Sequence, residues 1–275
     1  MSKLIGHLQQ AAARSRFGVR LAIKLREQCN SVIGLRCQSG ILAERNGEAW
    51  LADRVAPSAK TVIDVGANLG DWTTMFARRM TGPGRAYLFE PNPEAVARLR
   101  DMPVVNRGLQ IEVLQKAAGD VAGTARFFME AGAGETSSLV QRHAQFRALP
   151  IQVPVVTLDA EMAVQGVTRV DMLKIDAEGY DLRVLTGASE LLKAGRVGVV
   201  QFEYNAPWAA AGSTLSAAFQ LLRGAGFRVY LLKAGGLWRI DPDRVGEYFR
   251  YSNFVAIGPD MVGTVLGDTT PPDAI

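Results

Sequence analysis

From residue 60 onward, short runs rich in valine, isoleucine and leucine alternate with helical stretches, and this rhythm leaves few folds open. Strands are expected at 61–65, 85–90, 110–115, 170–175, 197–203, 227–232 and 252–257. Helices are expected at about 71–80, 93–101, 180–193 and 213–225. Short buried strands separated by helices call for a mostly parallel sheet covered on both faces, with right-handed crossovers. The segment 117–160 breaks the rhythm with two further strands, at 124–129 and 151–157, around a glycine-rich stretch. It reads as an insertion over the carboxyl edge of the sheet, where ligands bind in such folds.

The first 55 residues follow a different pattern. Residues 1–30 read as one or two amphipathic helices, because Leu4, Ile5, Leu8, Ala12, Phe17, Leu21, Ile23 and Leu25 recur at near-helical spacing. Another helix is expected over 40–55, ending before Pro57. Residues 1–36 hold seven lysines and arginines against one acid, Glu27, while the whole chain is only +4. The basic excess suits an anionic substrate, nucleic acid or lipid, or simply a solvated helix face. No aromatic-rich basic stripe follows, so nucleic acid is a minor option. The amphipathic segment could also be a lid, brace the fold or form a homodimer, the brace or dimer element being favoured. The tail from Gly258 holds three prolines and few large apolar groups, and is expected to be weakly ordered.

Other classes are disfavoured. Cys29 and Cys37 are the only cysteines and no Cys/His cluster exists, so a zinc site or a disulfide framework is not expected. A cytoplasmic location fits two free thiols. No stretch of 18 apolar residues predicts a membrane span, and residues 1–30 lack the continuous apolar core of a signal peptide.

The sharpest local signal is TVIDVGANLGD at 61–71, a strand, a glycine turn and a helix start. Gly66 and Gly70 let backbone approach a ligand, and the helix start offers unpaired amides. A dinucleotide site would need G-x-G-x-x-G for its pyrophosphate, whereas this turn, with Asn68 at its centre, reads G-x-N-x-G. Asp64 puts a carboxylate beside the turn, which suits an ammonium such as that of S-adenosylmethionine. Glu90 ends the next strand, where an acid can hold both ribose hydroxyls, although a solvent-facing strand end is the plainer reading. Asn92 can cap the helix that Pro93 opens. Lys116, Ala117 and Ala118 follow the third strand, where small side chains leave room for an adenine ring or merely mark a strand exit.

A second signal is LKIDAEGYDL at 173–182. Lys174, Asp176 and Glu178 alternate with strand-core residues and so share a face. Three ionisable groups there serve a ligand or one another. Glu203 and Asn205 end the neighbouring strand. With Asp176 they form an oxygen set that could hold Mg²⁺, or they bind substrate hydroxyls and cofactor without metal. His143, in the insertion, is a candidate base for a substrate hydroxyl or an ordinary surface histidine.

Taken together, VIDVGANLGDWT, LFEPNP, Ser137-Ser138-Leu139, VTLDA at 156–160 and LKIDAEGYDLRVLTGA resemble the FkbM family of class I methyltransferases. The resemblance implies a doubly wound, Rossmann-like α/β fold: a seven-stranded sheet ending in an antiparallel hairpin, here with an N-terminal helical extension. It implies S-adenosylmethionine as donor and O-methylation of a hydroxyl on a natural product or sugar. On that resemblance Asp64, Gly66, Asn68 and Gly70 line the cofactor, Glu90 holds its ribose, and Asp176 lies near the reacting centre. Asn92, Lys116 and Ala117 complete the expected cofactor set, and Asp176, His143, Lys174 and Glu203 the expected catalytic set. The expected domains are an extension over 1–55, a methyltransferase domain over 56–260 and a tail over 261–275. Competing readings are a nucleic-acid methyltransferase, a non-catalytic cofactor-binding protein and a nicotinamide-dependent oxidoreductase.

Overall fold

The computed structural model describes residues 2–39, 43–103, 106, 108–129, 139 and 149–274. Eleven strands appear among them: β1 Thr61–Val65, β2 Gly84–Phe89, β3 Leu109–Leu114, β4 Ala117–Ala118, β5 Gly123–Met129, β6 Leu149–Val156, β7 Val170–Ile175, β8 Val197–Tyr204, β9 Arg228–Lys233, β10 Gly236–Trp238 and β11 Ser252–Ile257. The main sheet has the order β10-β9-β11-β8-β7-β1-β2-β3. Strands β3, β2, β1, β7 and β8 run parallel, and β11 enters antiparallel between β8 and β9. This is the doubly wound, Rossmann-like sheet. It has eight strands rather than seven, because the short β10 pairs back on β9 as an edge hairpin.

Both faces of the sheet are buried, as a parallel sheet requires. Ile63 and Val65 face one core, with Leu173, Ile175, Phe202 and Phe254, whereas Val62 faces the other, with Met172, Val199 and Val255. All eight residues of β8 are buried, and only Gln201 and Glu203 are polar there. Each helix of the first βαβ units starts where its sequence dictates. Gly70 precedes the helix Asp71–Ala77, and Asn92 caps Pro93–Arg100 by accepting from the Glu94 N–H at 2.9 Å.

Several expectations need correction. The segment after β3 is a separate three-stranded sheet, β4-β6-β5, followed by the helix Leu158–Val164. Ala117 and Ala118 thus belong to a strand of their own, not to the exit of the third strand. The helix expected over 180–193 is broken into Asp181–Thr186 and Ser189–Lys193. A Cβ on Gly187 would stand 1.9 Å from the Gly119 carbonyl oxygen, so backbone from the second sheet presses into this break.

The N-terminal region forms helices Ser2–Ala13 and Arg16–Cys37, then Ala43–Asn46 and Glu48–Val55 in place of one helix over 40–55. Leu51, Ala52, Val55 and Ala56 lie in the same core as Val62 and Val255, so residues 48–58 cover the sheet and are not an appendage. The tail is also packed. Val265 and Leu266 are buried, and the Arg239 N–H donates to the Pro272 carbonyl at 2.8 Å.

Candidate active site

Strand order reverses between β1 and β7, and the crevice at their carboxyl ends is the place where such sheets bind ligands. A cleft of about 720 Å³ opens there. It is built from the first glycine turn, the ends of β2, β7 and β8, the second sheet, and Gln38, Asn46 and Glu48 of the N-terminal region.

The turn after β1 is set by backbone that side chains would obstruct. Gly66 has φ +79°, and a Cβ on it would lie 1.9 Å from the Asp176 carbonyl oxygen. Its N–H donates to the Phe89 carbonyl at 2.9 Å, and the Asp176 N–H donates to the Val65 carbonyl at 2.9 Å. Asn68 adopts φ +47° and Gly70 φ +81°, both left-handed. The turn is thereby stitched to the strands on either side.

Glu90 is buried just past β2. Its Oε2 accepts the Asn68 N–H at 2.9 Å and its Oε1 accepts the Asn92 N–H at 2.8 Å. Each oxygen keeps a lone pair for a further donor, which is what two adjacent ribose hydroxyls would use. Burial raises the pKa of this carboxyl, partly offset by the two amide bonds. The side chain of Asn92 is committed to the helix cap, although the residue borders the cleft.

Asp64 is also buried, and burial pushes its pKa up to about 6 against the opposing effects of Lys174 and a 2.6 Å hydrogen bond from Thr73 Oγ1. Lys116 pairs with Glu161 at 2.8 Å and, with Ala117, Ala118 and Phe127, forms the wall that the second sheet contributes.

Parallel register brings Asp64, Lys174 and Gln201 side by side across β1, β7 and β8. Lys174 is almost fully buried, and its Nζ donates to Asp176 Oδ2 at 3.0 Å. Burial works against its charge, but Asp176, Glu48 and Asp64 outweigh that and raise its pKa. Around this single ammonium there are thus three carboxylates. Asp176 is the more open partner, its side chain 33% exposed against 4% for Lys174.

Glu203 and Asn205 end β8 beside Glu178, which sits at φ +51° before Gly179. Burial raises the pKa of Glu203, reinforced by Asp176, Glu178 and Asp181. Asn205 turns its amide nitrogen to Glu203 Oε1 and, at 3.4 Å, to Glu178 Oε2. Its oxygen has no hydrogen-bond partner among the described residues. The expected Mg²⁺ set of Asp176, Glu203 and Asn205 is not shown: Asp176 pairs with Lys174, the Asn205 amide nitrogen faces Glu203, and the described residues contain no group of three or more His, Cys, Asp or Glu able to hold a metal. Beneath them, Asp181 is fully buried. It accepts from the Gly179 N–H at 3.2 Å and the Glu203 N–H at 3.3 Å, bracing both strand ends.

Four cleft residues went unnoticed in the sequence. Glu48 accepts from Gln201 Nε2 at 2.6 Å and is one of the acids around Lys174. Gln38 and Tyr251 form the same wall. Trp72 lines the cleft, stacked on Phe76 at 5.0 Å, and its buried indole N–H finds no acceptor among the described residues. Trp72 lies within the quoted motif VIDVGANLGDWT without a role being read from it, whereas Gln38, Glu48 and Tyr251 fall in no motif and only the tertiary fold brings them in. His143, Ser137 and Ser138 lie outside the described residues, whereas Leu139 borders the cleft.

A profile of the methyltransferase FkbM domain matches residues 64–229. No curated protein matches the chain. Among solved structures, the chain is similar to the methyltransferase FkbM of Methylobacillus flagellatus KT, with 15% identity and a TM-score of 0.43. That similarity covers 72% of this chain and 43% of the other, so the chain spans less than half the length of that protein. It is similar to an O-methyltransferase of Bacillus cereus in complex with S-adenosylhomocysteine, with 13% identity, a TM-score of 0.42 and coverage of 84% and 87%. It is also similar to the fibrillarin of Aeropyrum pernix with natively bound S-adenosylmethionine, with 12% identity, a TM-score of 0.38 and coverage of 82% and 73%.

Proposed function

This chain belongs to the methyltransferase FkbM family of S-adenosylmethionine-dependent enzymes, and from that premise we propose that it transfers the methyl group to a hydroxyl oxygen of a small, uncharged or cationic acceptor. The observation that carries the reading is Glu90, buried and held by two backbone amides with one lone pair free on each oxygen. Asp64 would meet the ammonium of the donor and Glu90 its ribose hydroxyls, and the Trp72 indole N–H, without an acceptor among the described residues, would suit its carboxylate. Gly66 allows the close backbone approach, and Lys116, Ala117 and Phe127 flank the base.

When bound, the donor supplies an electrophilic methyl whose C–S bond breaks, with its electron pair leaving on sulfur, as the acceptor oxygen forms the new C–O bond. What remains for the protein is alignment and removal of one proton. Asp176 is the group placed to accept that proton, at the junction of donor turn and acceptor wall. Lys174 positions Asp176 and does not itself touch the acceptor. Glu203, Glu48, Gln38 and Tyr251 form the acceptor side. Glu48, Asp176, Glu178 and Glu203 there face one lysine, and this excess of acid disfavours a nucleic-acid acceptor. Free Cys29 and Cys37 fit a reducing cytoplasm.

Isothermal titration of S-adenosylhomocysteine tests the donor assignment, with micromolar binding expected. Methyl transfer from labelled donor to neutral, amino and acidic sugars tests the acceptor class. Transfer only to acidic sugars or RNA overturns the acceptor reading while leaving the donor site intact.

A further inference from the structure

Twelve large apolar side chains lie exposed among the described residues, and nine of them fall between Ile5 and Leu35. The same region, residues 1–36, carries Lys3, Arg14, Arg16, Arg20, Lys24, Arg26 and Arg36 against Glu27 alone. The two features are arranged together on the helix Arg16–Cys37. At 100° per residue, Phe17, Leu21, Leu25, Val32 and Leu35 fall within an arc of about 80°. Phe17, Val32 and Leu35 are 76%, 68% and 73% exposed, so nothing among the described residues covers that arc. Arg16, Arg20 and Lys24 border it on one side, all exposed.

The helix is held at its far end only. Arg36 stacks over Trp238 at 4.3 Å and its Nε donates to the Ala274 carbonyl at 2.8 Å. Cys37 is fully buried, and Ser39 Oγ donates to the Leu232 carbonyl and accepts the Asn253 N–H, both at 3.0 Å. Most of the helix N-terminal to that end is exposed, and the helix Ser2–Ala13 approaches it near their junction, where a Cβ on Gly18 would meet Ala12.

We infer that residues 5–35 are an in-plane anchor for an anionic lipid surface. Charge selects the occupant. A second copy of the arm would meet the apolar arc with the same basic border and, Glu27 apart, no acid to pair with it. An anionic membrane offers hydrocarbon to the arc and headgroup charge to the border. Among the described residues no helix is long and apolar enough to cross a membrane, so the arm would lie in the plane of the surface. The inference stands on the arm alone and does not depend on the acceptor reading.

The test is flotation of the full chain with vesicles of phosphatidylcholine alone and with about 30% phosphatidylserine. Binding is expected only to the anionic vesicles, weakening as salt rises. Leu25→Asp and Lys24→Glu are each expected to weaken it at least about tenfold. Unchanged S-adenosylhomocysteine affinity in both variants shows that the fold is intact. Absence of binding by the wild-type chain overturns the inference, whether it sediments as a monomer or as a dimer that Leu25→Asp dissociates. Full binding by both variants also overturns it, as does equal binding to both kinds of vesicle.

Discussion

The Asn68 N–H and the Glu90 carboxylate meet at 2.9 Å, and this bond hooks the glycine turn of β1 to the end of β2. Glu90 therefore shapes the turn as well as offering lone pairs to a ligand. Glu90→Ala leaves the Asn68 and Asn92 amides without an acceptor, at a cost of about 1–3 kcal/mol each where water cannot replace it. We expect both a lower melting temperature and at least about tenfold weaker S-adenosylhomocysteine binding. Glu90→Gln keeps one acceptor oxygen and should lose less on both counts. Calorimetry and thermal unfolding on the two variants check this, and unchanged affinity in Glu90→Ala would remove the ribose role.

Asp64 ionises near pH 6 in the fold, against an ordinary value of 3.8. The folded protein thus holds this proton more tightly than the unfolded chain, so the contribution to stability falls as pH rises between these values. A shift of this size corresponds to roughly 3 kcal/mol. Binding of a cationic ligand end has the opposite dependence, because only ionised Asp64 attracts it. Cofactor affinity should strengthen as pH rises through 6, and Asp64→Asn should lose that part of the profile while gaining relative stability at pH 7. Titrations between pH 5 and 8 decide the matter.

Lys174 is the sole ammonium among Asp64, Asp176 and Glu48. Lys174→Met leaves these acids uncompensated in a buried setting, a loss of about 3–5 kcal/mol. The loss should shrink as pH falls and the carboxylates take up protons, so denaturant unfolding at pH 5 and pH 8 should give a smaller difference at pH 5. An equal loss at both values would show packing rather than charge to be the cause.

Glu48 comes from the helix Glu48–Val55 yet bonds Gln201 in the centre of the sheet. On the proposed reading it belongs to the acceptor side of the cleft. Glu48→Ala should leave S-adenosylhomocysteine affinity within about twofold and lower methyl transfer, mostly through KM for the acceptor. A loss of donor affinity would move Glu48 to the other half of the cleft.

What the sequence revealed and what it hid divide along sequence distance. The strand ends carrying Asp64, Glu90 and Asp176 were legible because strand, turn and helix start are adjacent in the chain and each has its own residue signature. Glu48, Gln38 and Tyr251 have no such signature. Glu48 reaches the cleft through its bond to Gln201, 153 residues away. The break at Gly187 is equally silent, since its cause is the Gly119 carbonyl 68 positions earlier. The tail looked loose by composition, yet Val265 and Leu266 are enough to dock it.

The approach of Gly66 to the Asp176 carbonyl, where not even a methyl group would fit, has a mechanical consequence. With the Val65–Asp176 backbone bond beside it, the glycine turn after β1 and the end of β7 are fastened together as one block. On the proposed reading, acceptors of different sizes would be accommodated by the other walls of the cleft: Ala117, Ala118 and Phe127 on one side, and Gln38, Asn46 and Glu48 on the other.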